Sequence, residues 1–515
     1  MLKIPPVQAF RTPAIAAFIY GVLFNAPIIL LRFSYFKADI FAGILEVTKE
    51  FAYIYLSNFI LFYGLSVTRF TFFAGSLFLF ITGAMASYSV FFFKLFPTKQ
   101  VIRALFENEI SESSELMSIK LILWVLLSIA ISIWILLRDK TIHSSKVRIL
   151  PLIMLAIFSY NIAHPKYKIL TLYFPMQYLN NSYRYMDEKL HKRYKRDISE
   201  GVELISAGEG DIVGVLVIGE SARYDHFSIN GYKRKTTPLI SKISNLHSFK
   251  ARSDATVTYL SVPYMLTNVA KENIDEAIYS TTFLSILTKA SIDTSWIGTQ
   301  NLMKYIQNYT DSNIYDEVAM TIIPGGSALF KMNDYDEVIL PYLDNILQRK
   351  GKKFIVLHTS GSHWNYSMRY PESYTKFSPA CKRDGMVKID FKSCSHEELV
   401  NSYDNSIVYT DYILDQIISR LKDKKAFLIY VSDHAESLGE EGRYGHAGNL
   451  HSEQTSIPFI FWSSDKFTHH HTSLNKVLKS KKYVELDHRY IFNSCLGCMG
   501  IKSSIIDKGH NLCSQ

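Results

Sequence analysis

Two carboxylates and an imidazole stand at separate points of the chain as Glu220, Asp433 and His434. Brought together, they would make a donor set suited to zinc or manganese. A catalytic zinc keeps its fourth position for water, substrate or a nucleophile. Taken singly, each group has a plainer reading, because Glu220 and Asp433 could just as well cap helices. Ser221 sits in Gly219-Glu220-Ser221-Ala222-Arg223, which lacks the closing glycine of the G-x-S-x-G nucleophile elbow. It is therefore not a hydrolase serine. Ser261-Val262-Pro263-Tyr264-Met265 lacks the arginine that sulfate-ester hydrolases carry two residues beyond the proline, which argues against that chemistry.

Three short apolar runs must position these groups. They are Ile212–Ile218 before Glu220, Phe354–Leu357 before His358, and Ala426–Val431 before Asp433. Unbroken apolar strands alternating with helical stretches such as Glu397–Leu421 predict a parallel α/β sheet covered on both faces. Ligands of such sheets collect at the carboxyl ends of the strands. All three runs would deliver metal-competent or proton-competent side chains to that one edge.

The chain of 515 residues is too long for a single core. Its composition, 48% hydrophobic and 20% charged, excludes disordered, collagen-like and coiled-coil classes and small disulfide scaffolds. Residues 1–163 carry 14 Lys/Arg and 8 Asp/Glu, against 42 and 39 in the remainder. Two solvents are implied. Apolar runs at Ala14–Leu31, Phe51–Leu65, Phe70–Leu95, Leu121–Leu137 and Ile149–Ala163 predict about five membrane spans. A cleaved signal peptide is the weaker reading of the first run, which is long and followed by four more. Arg138, Lys140, Lys146 and Arg148 crowd one loop and place it, with Lys3 and Arg11, on the cytoplasmic side. An odd number of spans then puts everything after residue 163 outside the cytoplasm. The domains expected are 1–163 transmembrane, 164–205 an interfacial linker rich in Tyr and Lys/Arg, and 206–515 catalytic.

All five cysteines (Cys381, Cys394, Cys495, Cys498 and Cys513) fall in the third domain, which suits an oxidising compartment. Cys381 and Cys394 could close a short loop. Cys495-x-x-Cys498 has no second CxxC or nearby His pair to make a metal site, so helix packing or pairing with Cys513 is favoured. The net charge of +9 is concentrated beside the spans and speaks of topology and anionic lipid, not nucleic acid. Few charged residues lie inside the spans, so a transporter has little support.

The sequence resembles the bacterial phosphoethanolamine transferases, membrane-anchored members of the alkaline phosphatase superfamily. The likeness rests on G-E-S-A-R at 219–223, Asn230-Gly231-Tyr232, Thr236-Thr237-Pro238, Thr256-Val257-Thr258-Tyr259-Leu260-Ser261-Val262-Pro263, Tyr403-Asp404-Asn405-Ser406 and the S-D-H-A-E-S-L-G-E block at 432–440. It implies an alkaline-phosphatase-like, sulfatase-type catalytic domain behind the helical one. It further implies Thr258 as nucleophile and a zinc held by Glu220, Thr258, Asp433 and His434. His363, from Gly361-Ser362-His363, is implied to bind the phosphoryl group or a second zinc. His446 and Lys304 complete the implied substrate contacts, Lys304 by its spacing from Trp296.

The activity so implied is transfer of phosphoethanolamine from phosphatidylethanolamine, through an adduct on Thr258, to lipid A or the lipopolysaccharide core. It would take place on the periplasmic side of the inner membrane, carried out by a monomer. A glycerophosphate transferase of the lipoteichoic-acid-synthase type and an inactive binding protein of the same fold are the alternatives. Two departures stand out. Asp254 and Tyr264 occupy positions where the family has paired cysteines, and His446 is followed by Ala-Gly where the family has Gly.

Overall fold

The computed structural model describes residues 8–33, 40–93, 95–107, 118–138, 149–164, 171–190, 197–200, 202–203, 210–269, 273–299, 319–322, 335–382, 394–446 and 450–514. The chain divides into two compact units, with the break between Lys192 and Arg193.

The first unit is helical. Four of the five apolar runs lie in a helix and the third, Phe70–Leu95, lies in one as far as Phe93: Gln8–Phe33, Ile40–Leu65, Arg69–Phe93, Ile119–Leu137 and Ile149–Ala163. Among the described residues, three helical stretches are long and apolar enough to cross a membrane, Phe10–Phe33, Arg69–Phe92 and Ile119–Leu137. The helix Ile149–Ala163 is apolar but shorter. Tyr20, Phe24, Phe62 and Phe80 pack edge to face at the centre of this unit. Such contacts gain from the opposite charge of ring edge and ring face.

The helix Met176–Leu190, from the tyrosine-rich connector, joins this unit. The Tyr178 hydroxyl lies 2.9 Å from that of Tyr20, and Asn25 exchanges two hydrogen bonds with the Phe174 backbone. Glu188 pairs with Lys99 and Arg103. Further along the connector, Ile198 belongs to the core of the second unit. Most of the arginines and lysines that carried the topology argument, Lys140, Lys146 and Arg148 among them, lie outside the described residues.

The second unit is built on an eight-stranded sheet. In chain order its strands are β1 (Val213–Gly219), β2 (Leu246–Arg252), β3 (Asp293–Gly298), β4 (Ala319–Ile322), β5 (Lys353–His358) and β6 (Ala426–Ser432). A two-residue hairpin follows, β7 (Ser437–Leu438) and β8 (Tyr444–Gly445), and then β9 (Ser456–Ser463) and β10 (Leu486–Asp487) return to the sheet. The sheet order is β10-β2-β9-β6-β1-β5-β3-β4. The sheet is mixed, not wholly parallel: β9 runs antiparallel between β6 and β2. Its side chains are buried from Ile457 to Ser463, so it reads in sequence like its parallel neighbours.

The centre is parallel, and its register aligns the strand ends. Ile218 lies beside His358 and Val431, and Gly219 beside Ser432. The helix His396–Leu421 begins in a full capping box between Ser395 and Glu398. Disulfides join Cys381 to Cys394 and Cys498 to Cys513, and Cys495 is a buried free thiol.

Candidate active site

The aligned strand ends hand their next residues to one edge. Glu220 follows β1, and Ser221 then turns through a left-handed backbone (φ 57°). Asp433 and His434 follow β6, and the Asp433 amide donates to the Gly219 carbonyl at 3.0 Å. β2 leads into the helix Thr258–Leu266, which opens on Thr258. The Thr258 hydroxyl donates to Glu220 Oε2 at 2.9 Å and lies 3.5 Å from His434 Nε2. That imidazole nitrogen is 3.3 Å from Glu220 Oε1 and 3.4 Å from Asp433 Oδ2. Glu220, Asp433 and His434 are wholly buried, and Thr258 is half-buried at their mouth.

The electrostatics of this group call for a cation. Burial and the nearby Glu220 push the Asp433 carboxyl well above the usual carboxylate range. Burial, helped by His446, pushes His434 down to about 4. His434 Nδ1 is 3.1 Å from the Ala435 carbonyl, so the neutral ring donates there and turns the bare Nε2 toward the two carboxylates. Asp433 Oδ2 is buried with no hydrogen-bond partner. Donor atoms of Glu220, Asp433 and His434 all lie within 4.8 Å of one another. Two carboxylates and an imidazole lone pair converging without solvent fit a divalent metal, and zinc suits this ligand set.

A second group faces the first. The ring of His446 lies 4.2 Å from that of His434 and 5.7 Å from that of His363. Burial alone would lower the His446 pKa, but the buried Glu436 carboxylate, 3.0 Å from Nδ1, holds it up at about 9. His363 Nδ1 sits 2.6 Å from the Trp364 carbonyl, to which it donates, leaving Nε2 free. Arg369 fixes the same turn, donating to the carbonyls of His363 (3.0 Å) and Trp364 (2.8 Å). His434, Glu436 and His446 form a further set of donor atoms close enough to share an ion. Lys304 lies outside the described residues.

Much of the motif sequence turns out to be framework. The Tyr403 hydroxyl accepts from the Arg223 amide and donates to the Ser221 carbonyl, bracing the turn beyond Glu220. Asp404 takes hydrogen bonds from His226, Tyr232 and Arg234. The Ser432 hydroxyl accepts from the Ala222 amide and donates to the His434 carbonyl. Next to Asp254 the Ser253 hydroxyl donates to the Asp433 carbonyl at 2.6 Å, and Tyr264 packs with Ala255, Val269 and Ala277.

Glu436 and Arg369 received no role from the sequence. Glu436 lay within the S-D-H-A-E block, and its spacing from His446 was the available signal. His358 is a buried strand-end histidine with both nitrogens unpartnered, held at about 4 by burial. In the run His469-His470-His471, His471 is buried.

The family model "Sulfatase" matches residues 213–501, which is more than half of the chain, and the chain belongs to that family. The model "Phosphoethanolamine transferase EptA/EptB" matches residues 54–190 and places the chain among the phosphoethanolamine transferases of the alkaline phosphatase/sulfatase superfamily. The chain is 31% identical to the Kdo(2)-lipid A phosphoethanolamine 7''-transferase of Salmonella typhimurium across 59% of its own length, and it spans 54% of that relative. It is 28% identical to phosphoethanolamine transferase EptA of Helicobacter pylori, covering 96% of this chain and 93% of that one.

Among solved structures, the integral membrane lipooligosaccharide phosphoethanolamine transferase A of Neisseria meningitidis superposes with a TM-score of 0.82 at 23% identity over 98% of both chains, which shows the fold. The periplasmic domain of phosphoethanolamine transferase EptC from Campylobacter jejuni gives 0.53 at 30% identity, covering 62% of this chain and 97% of that one.

Proposed function

We propose that the protein transfers phosphoethanolamine from phosphatidylethanolamine to lipid A or the lipopolysaccharide core. The observation that carries this reading is the Thr258 hydroxyl, hydrogen-bonded to Glu220 at the mouth of a buried carboxylate–imidazole cluster and beside two further histidines. The relative named for lipid A supports the choice of transferred group and acceptor.

Glu220, Thr258, Asp433 and His434 would hold one zinc. Bound there, zinc lowers the pKa of a coordinated hydroxyl and neutralises phosphoryl charge. Glu220 accepts the Thr258 proton as Oγ1 attacks phosphorus. The new bond is Thr258 Oγ1–P, and the bond broken joins phosphorus to diacylglycerol, whose oxygen leaves with the proton that Glu220 took from Thr258. His446, charged at neutral pH, steadies the phosphoryl oxygens, and His363, in the form that carries a proton on Nε2 as well as Nδ1, does the same. Lys304 is assigned to the same oxygens by the resemblance. In the second step an acceptor oxygen attacks phosphorus, and Glu220 passes the acceptor's proton to Thr258 Oγ1 as its bond to phosphorus breaks.

Both substrates are lipids, which accounts for a catalytic domain on a helical anchor. We assign residues 1–163 to the membrane, 164–205 to its surface and 206–515 to the periplasm, with the whole in the inner membrane as a monomer. The two disulfides support an oxidising compartment. Mass spectrometry of surface glycolipids from cells with and without the gene tests the reading. A phosphoethanolamine increment that requires the gene is expected. A glycerophosphate increment, or unchanged glycolipids in cells holding the zinc-loaded protein, would overturn it.

A further inference from the structure

Asp336 lies in none of the motif blocks and touches no metal-ligand side chain, yet it is buried beneath the His363 turn. Its Oδ1 accepts from the Ser360 amide at 2.8 Å and from the Thr299 hydroxyl at 2.5 Å. Its Oδ2 accepts from the Gly361 amide at 3.0 Å. Thr299 also accepts from the Ser360 amide, at 2.9 Å. Burying a carboxylate is costly unless its lone pairs are used, and here they are used on two consecutive backbone amides of one turn.

That turn is where the two poles of the site meet. Gly361 takes a left-handed backbone (φ 47°), and a Cβ there would come within 2.9 Å of the Glu220 amide nitrogen and carbonyl oxygen. The Ser362 amide donates to the Glu220 carbonyl at 2.9 Å, and the His363 amide to the Ser360 carbonyl at 3.1 Å. Arg369 binds the far side through the carbonyls of His363 and Trp364. An anion therefore clasps the amides of the turn while a cation clasps its carbonyls. Between them the His363 ring has its Nδ1 committed to Trp364 and its Nε2 free.

We propose that Asp336 is a positioning residue for phosphoryl transfer, acting through His363 by fixing the Ser360–Gly361 turn against Glu220. The proposal rests on the function given above. A general packing role would cost the same whether or not His363 is present, and this one would not.

The test is a double-mutant cycle on the zinc-loaded full chain in phosphatidylethanolamine nanodiscs, reading the single-turnover rate of adduct formation and the affinity for inorganic phosphate. Asp336→Asn keeps the shape but turns an N–H toward the Gly361 amide. It should slow adduct formation by about tenfold to a hundredfold, the range that small misplacements of a reacting group cost. In the His363→Ala background the same change should alter rate and phosphate affinity less than about twofold, the coupling expected of residues that act as one unit. Zinc content should be unchanged in all four proteins. If His363→Ala alone falls below kinetic detection, the phosphate affinities complete the cycle.

Equal losses in both backgrounds would overturn the proposal, as would a folded Asp336→Asn protein with wild-type rate. An unsubstituted chain that forms no adduct at all would instead sink the functional reading, while the phosphate cycle would still judge Asp336.

Discussion

The two ends of the site face opposite electrostatic problems. At the Thr258 end, Glu220, Asp433 and His434 bring two carboxylates and a lone pair together. At the His446 end, Glu436 keeps an imidazolium charged, and Arg369 stands behind His363. One end gathers two carboxylates and the other two cationic groups. On the proposed function a metal ion would answer the first and a phosphoryl group the second, which would separate nucleophile activation from phosphate recognition across the width of an imidazole ring.

Breaking the first end should cost most. Thr258→Ala should lower turnover by at least about a thousandfold, as loss of a nucleophile does elsewhere, with no adduct on the neighbouring Ser221. Glu220→Ala or Asp433→Ala should cost as much and also lower zinc stoichiometry, measured by atomic emission. Chelation of wild-type enzyme should abolish turnover and readdition of zinc restore it.

The second end should break more gently. His446→Ala or His363→Ala is expected to lower kcat by about a hundredfold to a thousandfold, the usual loss for one electrostatic contact in a reacting site. Zinc binding should persist, which separates the two ends. Glu436→Gln should cost about tenfold to a hundredfold, in the range of residues that orient a ligand from behind.

The comparison sharpens in the metal-free chain. There, imidazole titration by NMR should find His434 neutral at pH 7.5, with a pKa near 4, and His446 charged, with a pKa near 9. His446 is raised above its ordinary 6.5 by Glu436. Its stabilising contribution is therefore complete below about pH 6.5 and fades as pH rises through 9. Glu436→Gln should remove that pH dependence and leave His446 neutral at pH 7.5, since burial alone lowers it.

Legibility in the sequence followed the same division. The metal end could be read from residues alone, because β1 and β6 are unbroken apolar strands and the side chains after them must fall at one sheet edge. Thr258, His363 and His446 emerged only by resemblance, since they sit after turns whose course no periodicity reveals. Asp336 and Arg369 stayed hidden for a deeper reason: both act on backbone groups, which leave no side-chain pattern at a distance. The direction of β9 was equally hidden, because a strand buried on both faces reads alike either way. Cysteine positions left the partner of Cys513 open, and the fold selects Cys498 over the buried Cys495.

The central claim is that Thr258 carries the transferred group. Zinc-loaded full chain in phosphatidylethanolamine nanodiscs, quenched within one turnover and digested for mass spectrometry, tests it most directly. The account predicts a phosphoethanolamine increment on the peptide containing Thr258, lost in Thr258→Ala. An increment on another residue such as Ser221, or diacylglycerol release with no adduct on Thr258, would contradict it.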